Sequence, residues 1–297
     1  MRLWDYKEAI GFCLVFSISF ILMFEIVKSV DPITSTFLTY GVSCLFFMLL
    51  DAKNGKKTLQ ILKDNKKDIL GINISTLANT VLAYYVMTHV PPTVYVIVFF
   101  SCLPLFEHLL SRKRTGIRET AFLFKLAVFV SSLLIAGFVS TSDANNTAIG
   151  IVVTMISSLF AVIYMKQTSK LHQEAEATIF QVLTLRFILV SLLCGTYAFS
   201  QGTISELSSH EIGLILFTAF TGSIIPLFLM QLSIKKLGGA VSALFTPIIP
   251  VFCMIMMLVL GYLEFSALEM LLVTGMSFMI FYQAKLDLNK KEGTSNA

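Results

Sequence analysis

The sequence predicts an all-α integral membrane protein of ten transmembrane helices, arranged as two inverted five-helix repeats over residues 1–146 and 147–297. Three observations predict it. Of the 297 residues 56% are hydrophobic and 13% charged, against about 25% charged in a soluble domain, and mean hydropathy is +0.81. Apolar runs of roughly 20 residues, the length that crosses a hydrocarbon core about 30 Å thick, follow one another almost without pause. The two halves also share one sequence register, at an offset of 146 residues.

In chain order the runs are 9–30, 33–50, 69–88, 92–111, 120–140, 148–166, 178–199, 211–233, 239–261 and 265–284. The connections are too short for a soluble domain, and only 51–68, "DAKNGKKTLQILKDNKKD", has any size. The first run has no small-residue cleavage site and is expected to be retained. Cys13, Cys44, Cys102, Cys194 and Cys253 all fall inside runs. Without metal-ligand spacing or a disulfide framework, they are expected to act as small packing residues.

Orientation follows from Lys and Arg, which gather on the cytoplasmic side of short loops. With the N- and C-termini cytoplasmic, nineteen of the 22 Lys and Arg lie on the inner side; the others are Lys28 at an outer edge and Lys125 and Arg186 inside runs. The net charge of +4 is thus an orientation signal, and no nucleic-acid partner is expected.

The register is seen by setting "PPTVYVIVFFSCLP" (91–104) against "LGGAVSALFTPIIP" (237–250), where Phe99 meets Phe245 and Pro104 meets Pro250. The same offset places Ile69-Leu70 on Ile215-Leu216 and Tyr40 on Arg186. Five spans per copy is an odd number, so the second copy enters the membrane from the opposite face. The turn before Pro91-Pro92 lacks Lys and Arg, whereas its counterpart carries Lys235-Lys236. Inverted repeats of this kind characterise secondary transporters, with a site near the midplane between the copies.

Several residues could line such a site. Arg186 sits about eight residues into the seventh run, where a charge costs several kcal/mol unless it faces the bundle interior; its planar fork suits a carboxylate or phosphate. Its structural alternatives are snorkelling or a pair with a carboxylate. Asn73, Thr76, Thr80 and Tyr84 recur along one face of the third span, as substrate contacts or as interhelical glue. The eighth span offers Gln231, with Pro226 expected to break the helix opposite Thr80, and Tyr40, Tyr95, Tyr164 and Tyr282 add aromatic hydroxyls for an amphipathic metabolite. Glu25 is the candidate for proton coupling, although Lys28 one turn away offers a local ion pair. Pro104, Pro226, Gly238, Gly239, Pro247 and Pro250 are gating candidates, because prolines free carbonyls at a depth where they must face protein or a cavity.

The quoted segments also carry a resemblance. "FEIVK" (24–28), "DP" (31–32), "TLRF" (184–187), "KKLGGAVSALFTPIIPVF" (235–252) and "LGYLE" (260–264) resemble the drug/metabolite transporter superfamily, specifically its ten-helix EamA-like transporters, over nearly the whole chain. The resemblance implies a secondary active transporter of a small organic metabolite or drug, working by alternating access. It further implies an exporter driven by a proton or solute gradient, in the bacterial cytoplasmic (inner) membrane, as monomer or homodimer, with no cofactor. Two departures are Tyr40, where the family often carries an arginine, and "LSRKRTG" (110–116), where a Gly-Glu end is expected.

Other functions are less well supported. A membrane-embedded enzyme would need a nucleophile elbow, an H-E-x-x-H helix or a carboxylate pair, and none is found. A P-loop for direct use of ATP is missing as well. A non-transporting scaffold predicts large soluble loops or a docking tail, and the terminal "NKKEGTSNA" is short.

Overall fold

A computed structural model describes residues 6–115, 119–140, 142–237, 245–264 and 266–295, and among them the protein is all-helical with no strand. The first half contains α1 (Lys7–Ile26), α2 (Pro32–Asp51), α3 (Gly55–Asp64), α4 (Lys66–Val86), α5 (Pro92–Thr115) and α6 (Glu119–Val139). It continues as α7 (Ala144–Glu174), α8 (Ile179–Arg186), α9 (Ile188–Ser200), α10 (Ser209–Ala219), a π-turn over Phe220–Ile224, α11 (Ile225–Leu237), α12 (Ile248–Val259) and α13 (Ala267–Ser295). With α2–α3, α8–α9 and α10–α11 each counted as one rod, eight rods among the described residues are long and apolar enough to cross a membrane; α12 and the apolar part of α13, Ala267–Tyr282, are shorter as described. The chain is thus a multi-pass membrane protein.

Helix starts follow the local chemistry. Asp31 caps α2, its Oδ2 accepting from the Ile33 and Thr34 N–H groups, and Pro32 occupies the first helical position, where its missing donor costs nothing. Thr178 with Gln181 and Ser208 with Glu211 form capping boxes at the starts of α8 and α10. Asp143 caps α7 through the Asn146 N–H, and that bond holds its carboxyl below the usual range. Gly261, with φ +76°, turns the chain at the end of α12 in a conformation few side chains tolerate.

Four stretches differ from the sequence-based expectation. Residues 55–64, expected as loop, form α3, because Thr58 and Ile61 turn inward while the lysines stay out. The seventh span is two helices, interrupted at Phe187. The eighth does not break at Pro226; a π-turn upstream widens the ladder and Pro226 enters the first turn of α11. In the ninth, residues 245–247 form a turn and α12 begins at Ile248, so Pro247 caps α12 and Pro250 lies in its first turn rather than in a helix interior. Pro104, by contrast, lies inside α5. Gly238 and Gly239 lie outside the described residues.

One carbonyl of the proline segment finds a donor on α1, and a second comes close to the Ser17 hydroxyl, whose proton goes to the Cys13 carbonyl at 2.6 Å. Cys13 Sγ lies 3.2 Å from the Phe245 carbonyl and Ser17 Oγ 3.3 Å from that of Ile249, one turn apart on the same face. Around this contact the rods pack in definite pairs. α1 lies against α10–α11 and α12, α2 against α8–α9 and α10, and α4 against α7 and more lightly against α8–α9. α5 packs on α6, α7 and α12, and α13 on α6 and α12. Glycines allow the closest approaches. A Cβ on Gly222 in the π-turn would stand 3.0 Å from Ser19 Cβ of α1.

Candidate functional site

The site forms where the seventh span is interrupted. In an unbroken helix the Leu189 N–H would bond the Leu185 carbonyl four residues back. Here the Asn73 side chain from α4 stands between them: its Nδ2 donates to Leu185 O at 2.7 Å and its Oδ1 accepts from Leu189 N at 2.9 Å. The second Nδ2 proton goes to Ile69 O at 2.9 Å. Both donors of the carboxamide are therefore spent on backbone, and Asn73 serves as a splint for the α8–α9 junction. A side chain inserted into the ladder is a recognised cause of such a break.

Arg186 is the last residue of α8, placed by this junction and 6% exposed. Its Nε donates to Thr76 Oγ1 at 3.2 Å and its Nη1 to the Tyr164 hydroxyl at 2.9 Å. The guanidinium carbon lies 3.7 Å from the Tyr164 ring centroid and 5.1 Å from that of Phe187, so the cation is layered on aromatic faces. All these partners are neutral. Among the described residues no carboxylate lies within ion-pair distance of Arg186. Two of the five guanidinium N–H groups are used by side chains, which leaves three.

Aromatic hydroxyls surround this cation. Tyr40 stacks on Phe187 at 5.3 Å and meets Tyr84 edge-on at 6.5 Å. The buried Tyr84 hydroxyl shares a 2.7 Å hydrogen bond with Thr39. Tyr95, packed between Phe20 and Phe99, belongs with Tyr84 to the buried cluster against which Tyr40 packs, and Ser157 of α7 donates to Asn79 of α4. The fold thus brings together Tyr40, Asn73, Thr76, Tyr84, Tyr95, Tyr164 and Arg186 from α2, α4, α5, α7 and α8. Thr80, on the same face of α4, is turned onto its own helix, bonding the Thr76 carbonyl at 2.8 Å.

The remaining candidates lie elsewhere. Gln231 is buried on α11, and Tyr282 is 49% exposed and packs edge-on against Phe124. Glu25 pairs with Lys28 at 2.5 Å at the end of α1, and Lys28 also lies 4.8 Å above the Tyr262 ring. Burial and the Glu25 carboxylate together push the Tyr262 phenol up to about 12. Sequence reasoning missed Phe187, Thr39 and the Ser157–Asn79 bridge. Phe187 adjoins Arg186 in "TLRF", but which face it presents depends on the helix break.

Comparison with known proteins gives a fold and no more. No protein-family model matches the sequence, and no curated protein does. A solved crystal structure, described only as that of a protein, aligns over 98% of this chain and 100% of its own with a TM-score of 0.66. At 14% identity the two share a fold.

Proposed function

We propose that this chain is a secondary active transporter of a small anionic organic solute, working by alternating access around Arg186. The observation that carries the proposal is a buried arginine, deep among apolar rods and held, among the described residues, by neutral hydroxyls and aromatic faces. A buried charge without a counter-charge is costly, and charges inside membrane spans mark substrate or ion pathways. A solute carboxylate or phosphate meeting the three remaining N–H groups supplies the missing charge, with Tyr40, Tyr84 and Tyr164 beside it for its organic part.

The packing pairs support two inverted repeats of five spans, 1–146 and 147–297. Exchange each rod with its partner five spans away. The contact of α1 with α10–α11 then becomes that of α7 with α4, and α1 on α12 becomes α7 on α5. α2 on α10 becomes α8–α9 on α4, and α5 on α6 becomes α12 on α13. The pairs α2 with α8–α9, α5 with α12 and α6 with α13 map onto themselves. Tyr40 and Arg186, one repeat offset apart, both contact the Phe187 ring, as residues beside a pseudo-twofold axis would. A site at the repeat interface is the usual place for a transporter's substrate.

The resemblance to EamA-like transporters supports the same reading, with export driven by a proton or solute gradient and with cytoplasmic termini in a bacterial inner membrane. The irregular elements, the α8–α9 break, the π-turn and the proline start of α12, are where the two states would interconvert. Proteoliposome counterflow tests this. A solute that stabilises the purified protein should exchange across vesicles containing it and not across empty ones; binding without exchange would indicate a non-transporting receptor or scaffold.

A further inference from the structure

Lys53, Lys56, Lys57, Lys63, Lys66 and Lys67 fall within fifteen residues at one end of the bundle, and all six are exposed. The acids of the same stretch do not neutralise them. Asp51 accepts from Thr58 and Asn54, Asp64 from Gln60, and Asp68 pairs with Lys170 at 2.9 Å. Among the described residues none of the six lysines has a carboxylate within ion-pair distance. The orientation rule explains which side such charges occupy, but it does not explain why they are mounted on a helix.

That helix is α3, and its seating fixes which side chains point where. Thr58 and Ile61 are buried, and Ile61 belongs to the same apolar cluster as Tyr164 and Leu185. Lys56, Leu59 and Lys63 stand at i, i+3 and i+7 and share an outward edge. Leu59 is 51% exposed, and exposed Leu49 and Leu50 of α2 and Leu70 of α4 mark the end of the lipid-facing band beside it. An amphipathic helix with lysines flanking a leucine at that level suits the membrane interface, the leucine toward the acyl chains and the ammonium groups toward the headgroups.

We propose that α3 is a seat for anionic phospholipid headgroups, with Lys56 and Lys63 holding the phosphate and Leu59 set among the acyl chains. The shallow cleft between α3 and the end of α7 is excluded as the seat, because Asp64 and Glu174 line it beside Lys57 and would repel a phosphate. Through Ile61 the loaded helix braces the cluster that carries Tyr164, so lipid at this edge steadies the floor beneath Arg186.

The test adds phosphatidylglycerol or phosphatidylcholine to the full chain in neutral detergent and reads melting temperature and lipid binding. Phosphatidylglycerol is expected to bind more tightly and stabilise more. Each ammonium near an anionic surface contributes about fivefold in affinity, so Lys56→Gln with Lys63→Gln should weaken phosphatidylglycerol binding by at least about tenfold. Lys56→Arg with Lys63→Arg should retain it, and about 0.5 M salt should abolish the preference. Glycerol phosphate, which lacks acyl chains, should give no shift. The double Gln variant keeps its fold, since both side chains are exposed, and its melting temperature without lipid checks this. Equal responses to the two lipids, unchanged binding in the Gln variant, or stabilisation by glycerol phosphate would each overturn the proposal.

Discussion

The Asn73 carboxamide joins Leu185 to Leu189, bonding the carbonyl of one at 2.7 Å and the N–H of the other at 2.9 Å. These are the two groups that an unbroken helix would pair with each other. One polar side chain from α4 thereby satisfies both ends of the break in the seventh span and sets the position of Arg186. A break left open among apolar rods would bury two unpaired backbone groups, at about 1–3 kcal/mol each.

Asn73→Leu is therefore expected to lower stability by about 2–6 kcal/mol and to weaken solute binding together with it. Thermal unfolding and solute titration of the same preparation check this. Unchanged stability with lost binding would instead make Asn73 a direct solute contact.

Close helix approach gives a second expectation. A Cβ on Gly195 of α9 would stand 2.7 Å from a ring carbon of Phe37 on α2, whereas one on Gly137 of α6 meets nothing within 4 Å. Gly195→Ala should cost about 1–3 kcal/mol through overpacking, and Gly137→Ala should be neutral or slightly stabilising. Melting temperatures of the two variants in one detergent provide the comparison.

Glu25 gives a third. Its pair with Lys28 is partly exposed, and Tyr262 lies at the same end of α1. Such pairs contribute about 0–1 kcal/mol. Glu25→Gln should leave both the melting temperature and the pH profile of transport nearly unchanged. A flattened pH profile would return the coupling role to Glu25.

Much of the architecture was legible in the sequence because apolar runs report helices directly. Arg186 was legible for a similar reason, as one guanidinium inside an apolar run. The role of Asn73 was not, since a carboxamide on a polar stripe reads the same whether it faces solute or the backbone of another helix. α3 was hidden by its lysines, which made a seated amphipathic helix look like a charged loop. The prolines were misplaced for another reason. Pro247 and Pro250 fall in the middle of an apolar run, but a turn over 245–247 precedes α12, so composition marked the span while the cap position decided what the prolines do.

The most direct test of the central claim is a thermal-shift titration of the detergent-purified protein and of Arg186→Gln. The panel is small carboxylates, phosphate esters, neutral solutes and organic cations. A ligand at 100 times its Kd stabilises the folded state by about 2.7 kcal/mol, so a specific anion is readily detected. The account predicts saturable stabilisation by a carboxylate or phosphate ester in the parent chain and its loss in Arg186→Gln. Stabilisation by neutral or cationic solutes alone, or an anion response that survives in Arg186→Gln, would contradict it.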